Sequence, residues 1–164
     1  PVILPMAHPL ASVRNAFNAI YVESEAAGQL MFYGRGAGGA PTASAILGDL
    51  VAVTRHRAYS TVGYGESDYA DLDIAPLGDV KSQFLIRLWV ADKSGVLAGI
   101  ATVFAKQGVS IQGVRQSGMG LDAELIVVTH AATEDDLDAT VEALKAMDIV
   151  KNVESVIRVE GVGA

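Results

Sequence analysis

The sequence contains no cysteine, which excludes disulfide bridges and metal sites built on thiolates, and fits a reducing cytoplasm. Basic residues are outnumbered, because 12 Lys and Arg stand against 19 Asp and Glu. The net charge of -7 argues against nucleic acid as a partner. No apolar run approaches the roughly 18 residues typical of a membrane span, and no secretory signal pattern is present. We therefore expect a soluble cytoplasmic protein that does not bind a membrane.

The chain has three histidines, and none of them forms a pair with the spacing of a metal site. His8 could act as an acid or base, but no carboxylate is adjacent to it and Pro9 follows it directly. His56 lies between two arginines at a predicted helix end, and His130 ends a predicted strand. The sequence therefore predicts neither a catalytic histidine nor a metal site.

Apolar residues make up 51% of the chain, which is enough for a packed core. Asn18 to Glu23 and Gln29 to Tyr33 are short apolar runs whose separation predicts a hairpin. Apolar residues at helical spacing then predict a helix over Thr42 to Arg55. Residues 1–57 have too little core to stand alone, and Pro1 replaces an initiator methionine, so we expect further sequence upstream.

A glycine-rich loop stands between the hairpin and the helix, with glycines at 34, 36, 38 and 39. Glycine lets the backbone approach an anion closely, and the amides and dipole at a helix start favour negative charge. Pro41 suits the first helical turn, where its missing N–H costs nothing. The loop matches neither of the common phosphate-binding fingerprints, so a nucleotide loop and a simple turn both stay open.

Residues 58–80 form a region rich in acids and glycine, without Lys or Arg from Ala58 to Val80. This composition predicts a solvated linker. A calcium site is the alternative, but the ordered spacing of a calcium-binding loop is missing.

Residues 81–164 carry clear periodicity. Gln83 to Val90 alternates as a strand, and Val96 to Phe104 repeats as a helix that Gly108 ends. Two more strands, a helix starting at Thr133 and a last strand follow. The order β-α-β-β-α-β predicts an α+β, ferredoxin-like fold with two helices on one face of an antiparallel four-stranded sheet. Its open edges and exposed sheet face favour pairing with a second copy.

This second segment resembles an ACT domain, a module that senses small molecules, usually amino acids. Residues 91–116, ADKSGVLAGIATVFAKQGVSIQGVRQ, carry the resemblance. In that family the effector lies at the interface between paired domains, between the strand–helix turn and the start of the second strand. The resemblance therefore implies an effector site at Asp92, Ser94, Gly95, Val96 and Leu97, with Ser110 and Ile111 opposite.

Two positions depart from the ACT pattern. Ser94 stands where proline is common, and Ser110 stands where asparagine is common. Three alternatives follow for residues 81–164: the domain binds the effector usual for the family, it binds a different effector, or it serves only to dimerise.

The first segment resembles the end of the catalytic region of bacterial homoserine dehydrogenases. Residues 8–22, HPLASVRNAFNAIYV, and 30–50, LMFYGRGAGGAPTASAILGDL, carry this resemblance. Several members of that family have an ACT domain directly after this region. The resemblance implies that Gly36, Gly38 and Gly39 lie beside a nicotinamide cofactor, NAD or NADP. It also implies that the dinucleotide fingerprint, the catalytic lysine and the homoserine-binding acids lie outside this chain.

The sequence thus predicts three regions: the end of a catalytic region at 1–57, an acidic linker at 58–80, and an ACT regulatory domain at 81–164. We expect the C-terminal part of an NAD(P)-dependent homoserine dehydrogenase of threonine and methionine biosynthesis. The chain alone should be inactive, should not bind the cofactor tightly, should form homo-oligomers through the ACT domain, and should sense threonine. The alternative is a stand-alone ACT regulatory protein without catalysis.

Overall fold

The computed structural model describes residues 1–61, 72–118 and 120–160. The chain divides into two compact units. The hairpin unit is Met6–Leu72, and the sheet unit combines Pro1–Pro5 with Asp73–Ala164. A two-residue strand, β1 (Val2–Ile3), thus belongs to the sheet unit although it precedes the hairpin unit in sequence.

The hairpin unit contains the predicted antiparallel hairpin, formed by β2 (Phe17–Ser24) and β3 (Gly28–Arg35). Its turn is tight, because the Ala27 amide donates to Ser24 Oγ at 3.1 Å and Gly28 adopts a φ of +67°. A left-handed glycine closing a three-residue connection is a common hairpin geometry. The turn chemistry therefore fixes the register that places Ile20 opposite Phe32.

The predicted helix is α1 (Gly39–Ala58), which starts three residues before the predicted Thr42. Its last turn is basic, as predicted for a helix C-terminus. None of its residues is buried, and Ile46, Leu50 and Val53 are exposed. A wide apolar face on a helix is typically covered by another element in the folded protein.

The sheet unit confirms the predicted β-α-β-β-α-β order. Its elements are β4 (Lys81–Ala91), α2 (Val96–Lys106), β5 (Ile111–Gly118), β6 (Asp122–Thr129), β7 (Ala132–Thr133), α3 (Glu134–Lys145) and β8 (Val150–Val159). The strand order is β1-β8-β4-β6-β5, and β7 pairs with the start of β4. All pairs are antiparallel except β1 with β8. The two short strands, β1 and β7, extend the predicted four-stranded sheet.

One core holds the sheet unit together. One face of the alternating strand β4, Phe84 to Val90 at every second residue, is almost completely buried. Val96, Ile100 and Phe104 of α2 pack in the same cluster, as do Leu137, Val141 and Leu144 of α3. Since both helices share that cluster with one face of β4, both lie on the same side of the sheet, as predicted.

Local signals set the helix boundaries of the sheet unit. Gly95 adopts a φ of +89° before α2, and Gly108 adopts a φ of +74° after it. Thr133 caps α3, because its Oγ1 accepts from the Asp136 amide at 3.2 Å. Met147, predicted as a helix residue, lies beyond the helix end and still packs against the core.

The acidic segment is described only in part, since Glu66, Asp68 and Asp71 lie outside the described residues. Its last residues, Leu77–Asp79, form a 3-10 turn. A side chain at Gly78 would meet the Asp135 carboxyl carbon at 2.7 Å, so this turn packs closely on the start of α3.

The two edges of the sheet differ in whether a further strand covers them. β1 covers the β8 edge through the pairs Val2 with Arg158 and Ile3 with Val159, and the Glu160 amide donates to the Ile3 carbonyl at 3.0 Å. The sequence did not predict this parallel strand, so the expectation that both edges of the sheet are open was wrong at β8. Among the described residues, β5 pairs only with β6, which leaves β5 as the open edge of the sheet.

Candidate functional site

The glycine loop joins β3 to α1. Gly36 is held by its amide, which donates to the Ala16 carbonyl at 2.9 Å. A side chain at Gly36 would collide with the Asn18 amide group, whose Oδ1 lies 2.9 Å from the place that a Cβ would take. A Cβ at Gly36 would therefore require the Asn18 side chain to leave the space that it occupies.

Gly38 is the position of the loop that needs glycine for its backbone. Its φ is +133°, and a Cβ would meet Pro41 Cδ at 3.2 Å. Gly39 has no such constraint, since a Cβ there would meet nothing within 4 Å. The three glycines of the loop therefore differ: Gly38 has a positive φ, Gly36 is crowded by a side chain, and Gly39 is unconstrained.

The N-terminus of α1 begins at this loop without a side-chain cap. Gly38 is the N-cap residue, and the first turn contains no acidic residue. The first amides of a helix have no intrahelical acceptor, and the helix dipole adds positive potential there. The geometry suits an anion near the loop.

The strand–helix turn of the sheet unit holds five of the predicted effector residues. The Asp92 amide donates to the Leu121 carbonyl at 3.0 Å, and the Val96 amide donates to the Lys93 carbonyl at 3.3 Å. Val96 is buried in the core, whereas Leu97 is 44% exposed. The turn thus combines a fixed backbone with one exposed apolar side chain.

The Asp92 carboxylate points toward β5. Its Oδ1 accepts from Gln116 Nε2 at 3.3 Å, and its Oδ2 lies 2.7 Å from the position a Cβ would take at Gly118. The sequence analysis missed both partners. A glycine inside a strand is a signal of close approach by another group, and Gly118 carries that signal.

Ser110 and Ile111 lie at the start of β5. The Ser110 carbonyl accepts from the His130 amide at 2.8 Å, and Ile111 pairs with Thr129. Both residues line an open concavity of about 410 Å³ between α2 and β5. The rest of its lining is mainly apolar, from Ala101, Phe104, Ala105, Gly108 and Val109.

One copy of the chain does not bring the two predicted halves of the effector site together. Ala91, next to Asp92, pairs with Asp122 at the end of the sheet where β5 finishes at Gly118. Ile111 lies at the other end of β5. An eight-residue strand spans about 23 Å between its ends, so the halves lie at opposite ends of the sheet.

Other polar groups have structural partners. His8 Nδ1 accepts from the Leu10 amide at 3.2 Å, and its ring meets Tyr21 edge-on with centroids 4.8 Å apart. Arg87 pairs with Glu124 on the side of the sheet away from the helices, and the hydrogen bond and charge of that carboxylate raise the pKa of Arg87. Two kinds of feature are absent from the parts of the chain that the structure describes. No cluster of three or more His, Cys, Asp or Glu there could hold a metal. No described helix is long and apolar enough to span a membrane.

Two family models match the chain. Residues 1–51 match the model described as homoserine dehydrogenase, and residues 84–148 match the ACT domain model. The two matches follow the order expected from the sequence, and the second covers the turn and strand that carry the predicted effector residues.

Relatives over nearly the whole chain are homoserine dehydrogenases. The protein from Corynebacterium glutamicum is 54% identical over 98% of this chain and 36% of its own length. The protein from Bacillus subtilis is 37% identical over 99% of this chain and 39% of its own length. The chain therefore spans well under half the length of these relatives.

Two solved structures of homoserine dehydrogenases are similar to this chain. The crystal structure of a homoserine dehydrogenase from Thiobacillus denitrificans has a TM-score of 0.84, 32% identity, and covers 99% of this chain and 38% of that chain. A homoserine dehydrogenase from S. aureus has a TM-score of 0.54 and 25% identity over 98% of this chain. The chain is thus homologous to a C-terminal part of the homoserine dehydrogenases that includes an ACT domain.

Proposed function

We propose that the whole protein is an NAD(P)-dependent homoserine dehydrogenase of threonine and methionine biosynthesis, and that this chain supplies its last catalytic elements and its regulatory domain. Hydride transfer from the reduced nicotinamide, with a proton, converts the aldehyde of L-aspartate 4-semialdehyde to the alcohol of L-homoserine. The observation that carries this proposal is the pair of family matches, in order, in a chain 54% identical to such an enzyme. We assign 1–57 to the catalytic region, 58–80 to the linker and 81–164 to the ACT domain.

Full-length protein provides the first test. It should reduce NAD(P)⁺ in the presence of homoserine, and the 164-residue chain alone should not. Full-length protein without homoserine-dependent reduction of either dinucleotide would contradict the proposal.

Gly36, Gly38 and Gly39 are the proposed cofactor-side residues of this chain. The uncapped start of α1 and the absence of acids in its first turn support that role, because both favour a phosphate or another anion nearby. The φ of +133° at Gly38 supports it further, because a position that favours glycine lets the backbone approach a ligand closely. These residues would approach the dinucleotide through their backbone, while the hydride chemistry belongs to the cofactor.

Substitution at Gly38 tests this role in the full-length enzyme. Gly38→Val should raise the KM for the dinucleotide more than it changes kcat, because a side chain blocks backbone approach and the φ of +133° disfavours valine. Gly34→Ala is the matched control, since a Cβ there meets nothing within 4 Å. An unchanged KM in Gly38→Val would make the loop a simple turn.

The ACT domain is proposed to bind an amino-acid effector between two copies. The open β5 edge supports pairing with a second β5, because β1 already occupies the other edge. When two copies of one strand pair antiparallel about a two-fold axis, the start of each lies beside the end of the other. Ser110 and Ile111 of one copy then approach the Asp92 turn of the other, which joins the two separated halves.

The chemistry of the joined site fits an α-amino acid. The Asp92 carboxylate can pair with the ammonium group, and the amides at the start of α2 can receive the carboxylate. The concavity beside Ser110 and Ile111 offers apolar lining with one hydroxyl for the side chain. Threonine, with one methyl and one hydroxyl, is the effector we propose.

Mixing two defective variants tests the paired site. Asp92→Ala and Ile111→Lys should each abolish the binding of L-threonine in calorimetry, with isoleucine and methionine as comparison ligands. A mixed dimer contains one site with neither substitution, so an equimolar mixture should recover on the order of a quarter of the wild-type capacity. No recovery would contradict a site shared between copies, and no binding by the unsubstituted chain would leave dimerisation as the only supported role.

A further inference from the structure

We infer that Gln116 and Gly118 of β5 are positioning residues for the Asp92 carboxylate. Gln116 fixes one oxygen of that carboxylate, and the missing side chain of Gly118 leaves room for the other. This inference rests on the proposed effector site and adds two residues to it.

The contacts define both roles. Gln116 Nε2 donates to Asp92 Oδ1 at 3.3 Å, across 24 residues of sequence. A Cβ at Gly118 would lie 2.7 Å from Asp92 Oδ2 and 3.5 Å from its Cγ. Contacts under 3.0 Å are not seen for real Cβ atoms, so any side chain at 118 displaces the carboxylate.

The sheet holds both positions in place. Gln116 pairs with Leu125 and Gly118 pairs with Ala123, and both of these β6 residues are buried in the core. The Asp92 backbone is anchored separately, through its amide to the Leu121 carbonyl. The carboxylate orientation is therefore determined by a rigid strand and not by the turn that carries Asp92.

This orientation has a consequence for the helix start. An aspartate just before a helix commonly accepts hydrogen bonds from the first helical amides. Here the N-cap residue of α2 is Gly95, without a side-chain cap, and the Asp92 carboxylate is turned to β5 instead. The Val96 amide already donates to the Lys93 carbonyl, so the amides that follow it in the first turn of α2 are the ones available for the carboxylate of an effector. Asp92 is oriented for the ammonium group before binding.

Two glycine-to-alanine variants on the same strand test the inference. Gly118→Ala should weaken the binding of L-threonine by about tenfold or more, the loss expected when a charged hydrogen bond is misplaced. Gly113→Ala is the matched control, because a Cβ there meets nothing within 4 Å and its φ is not positive. The affinity of Gly113→Ala for L-threonine should stay within about twofold of that of the unsubstituted chain.

A ligand analogue separates positioning from a general loss of structure. In the 2-hydroxy analogue of threonine a hydroxyl replaces the ammonium group, so Asp92 has no charged partner. Gly118→Ala and Gln116→Leu should therefore reduce the preference for threonine over this analogue. Equal losses for both ligands would assign the two residues a merely structural role.

A stability measurement needs no ligand at all. Gly118→Ala should destabilise the unsubstituted chain and should have little effect in an Asp92→Ala background, where no carboxylate occupies the space. Additive effects would overturn the inferred contact. Absence of any binding by the unsubstituted chain would contradict the proposed effector site, whereas normal binding by Gly118→Ala would contradict this inference alone.

Discussion

The two units of this chain use their apolar residues in opposite ways. The sheet unit buries large side chains such as Phe84, Phe104 and Leu144 almost completely in one core. In residues 6–61 of the hairpin unit no residue is buried, and Ile20 and Phe32, directly paired across the strands, are 66% and 64% exposed.

The difference shows that secondary structure and core formation are separate requirements. The hairpin unit has a defined register, a turn glycine and a 20-residue helix, yet its apolar faces find no partner among the described residues of that unit. Local sequence thus suffices for the elements, whereas stability depends on what covers them.

The largest expected difference between the two units is in the stability lost when one phenylalanine ring is removed from each. Phe104→Ala should lower the free energy of unfolding of the sheet unit by about 3–5 kcal/mol, because it removes a fully buried ring and leaves a cavity. Phe32→Ala should change stability by only about 0.5 kcal/mol or less. Denaturant unfolding followed by circular dichroism and by Trp89, the single tryptophan, measures both, and equal losses would break the comparison.

The exposed hairpin face should drive self-association beyond any dimer formed through β5. Replacing the cross-strand pair with opposite charges, Ile20→Lys with Phe32→Glu, keeps a favourable pairing and removes that apolar surface. Sedimentation at micromolar concentration should then show smaller species. Leu72→Lys, at an exposed leucine outside the hairpin, is the control and should leave the distribution unchanged.

A smaller difference in stability is expected from the helix caps, because α3 has a side-chain cap and α1 has none. Thr133→Ala should cost about 1 kcal/mol, because α3 loses the side chain that accepts from the Asp136 amide. Thr133→Ser should retain most of that stability by thermal unfolding. α1 has no side-chain cap, so no corresponding substitution exists there. A large loss of stability in Thr133→Ser would contradict the capping role, because serine keeps the hydroxyl and lacks only the methyl group.

The smallest effect concerns β1, the segment of the sheet unit that precedes the hairpin. Removing residues 1–4 should cost about 1 kcal/mol or less, since it removes a two-residue pairing with β8. Hydrogen exchange should show faster exchange at the Glu160 amide, which donates to Ile3. The Phe84 amide, bonded to Thr129 inside the sheet, should stay protected, and unchanged exchange at Glu160 would contradict the pairing.

Much of the fold could be predicted from periodicity. The predicted alternation along β4 is present, since every second residue from Phe84 to Val90 is buried, and Gly108 after α2 and Gly28 at the start of β3 mark real turns. β1 could not be predicted, because two residues carry no periodicity and their partner lies more than 150 residues away in sequence. The start of α1 was placed late because Gly39 and Ala40 add nothing to an apolar pattern.

The candidate effector site stays a prediction, and the sequence located its segments but not their binding role. The resemblance to ACT domains singled out the Asp92 turn and the start of β5, and the family models match both segments. The roles inferred for Gln116 and Gly118 required coordinates, because their contacts join β5 to the turn after β4, and these two strands are not neighbours in the sheet.

The sequence by itself determined the order of the main elements, the alternation along β4 and the resemblance to a known family, since all three are written in local patterns of residues. Only the tertiary structure decided which sheet edge stays open, that Asp92 turns toward β5, and that the predicted effector residues lie at opposite ends of one sheet. Those properties depend on strand register and on space between distant side chains, which arise only when the chain packs.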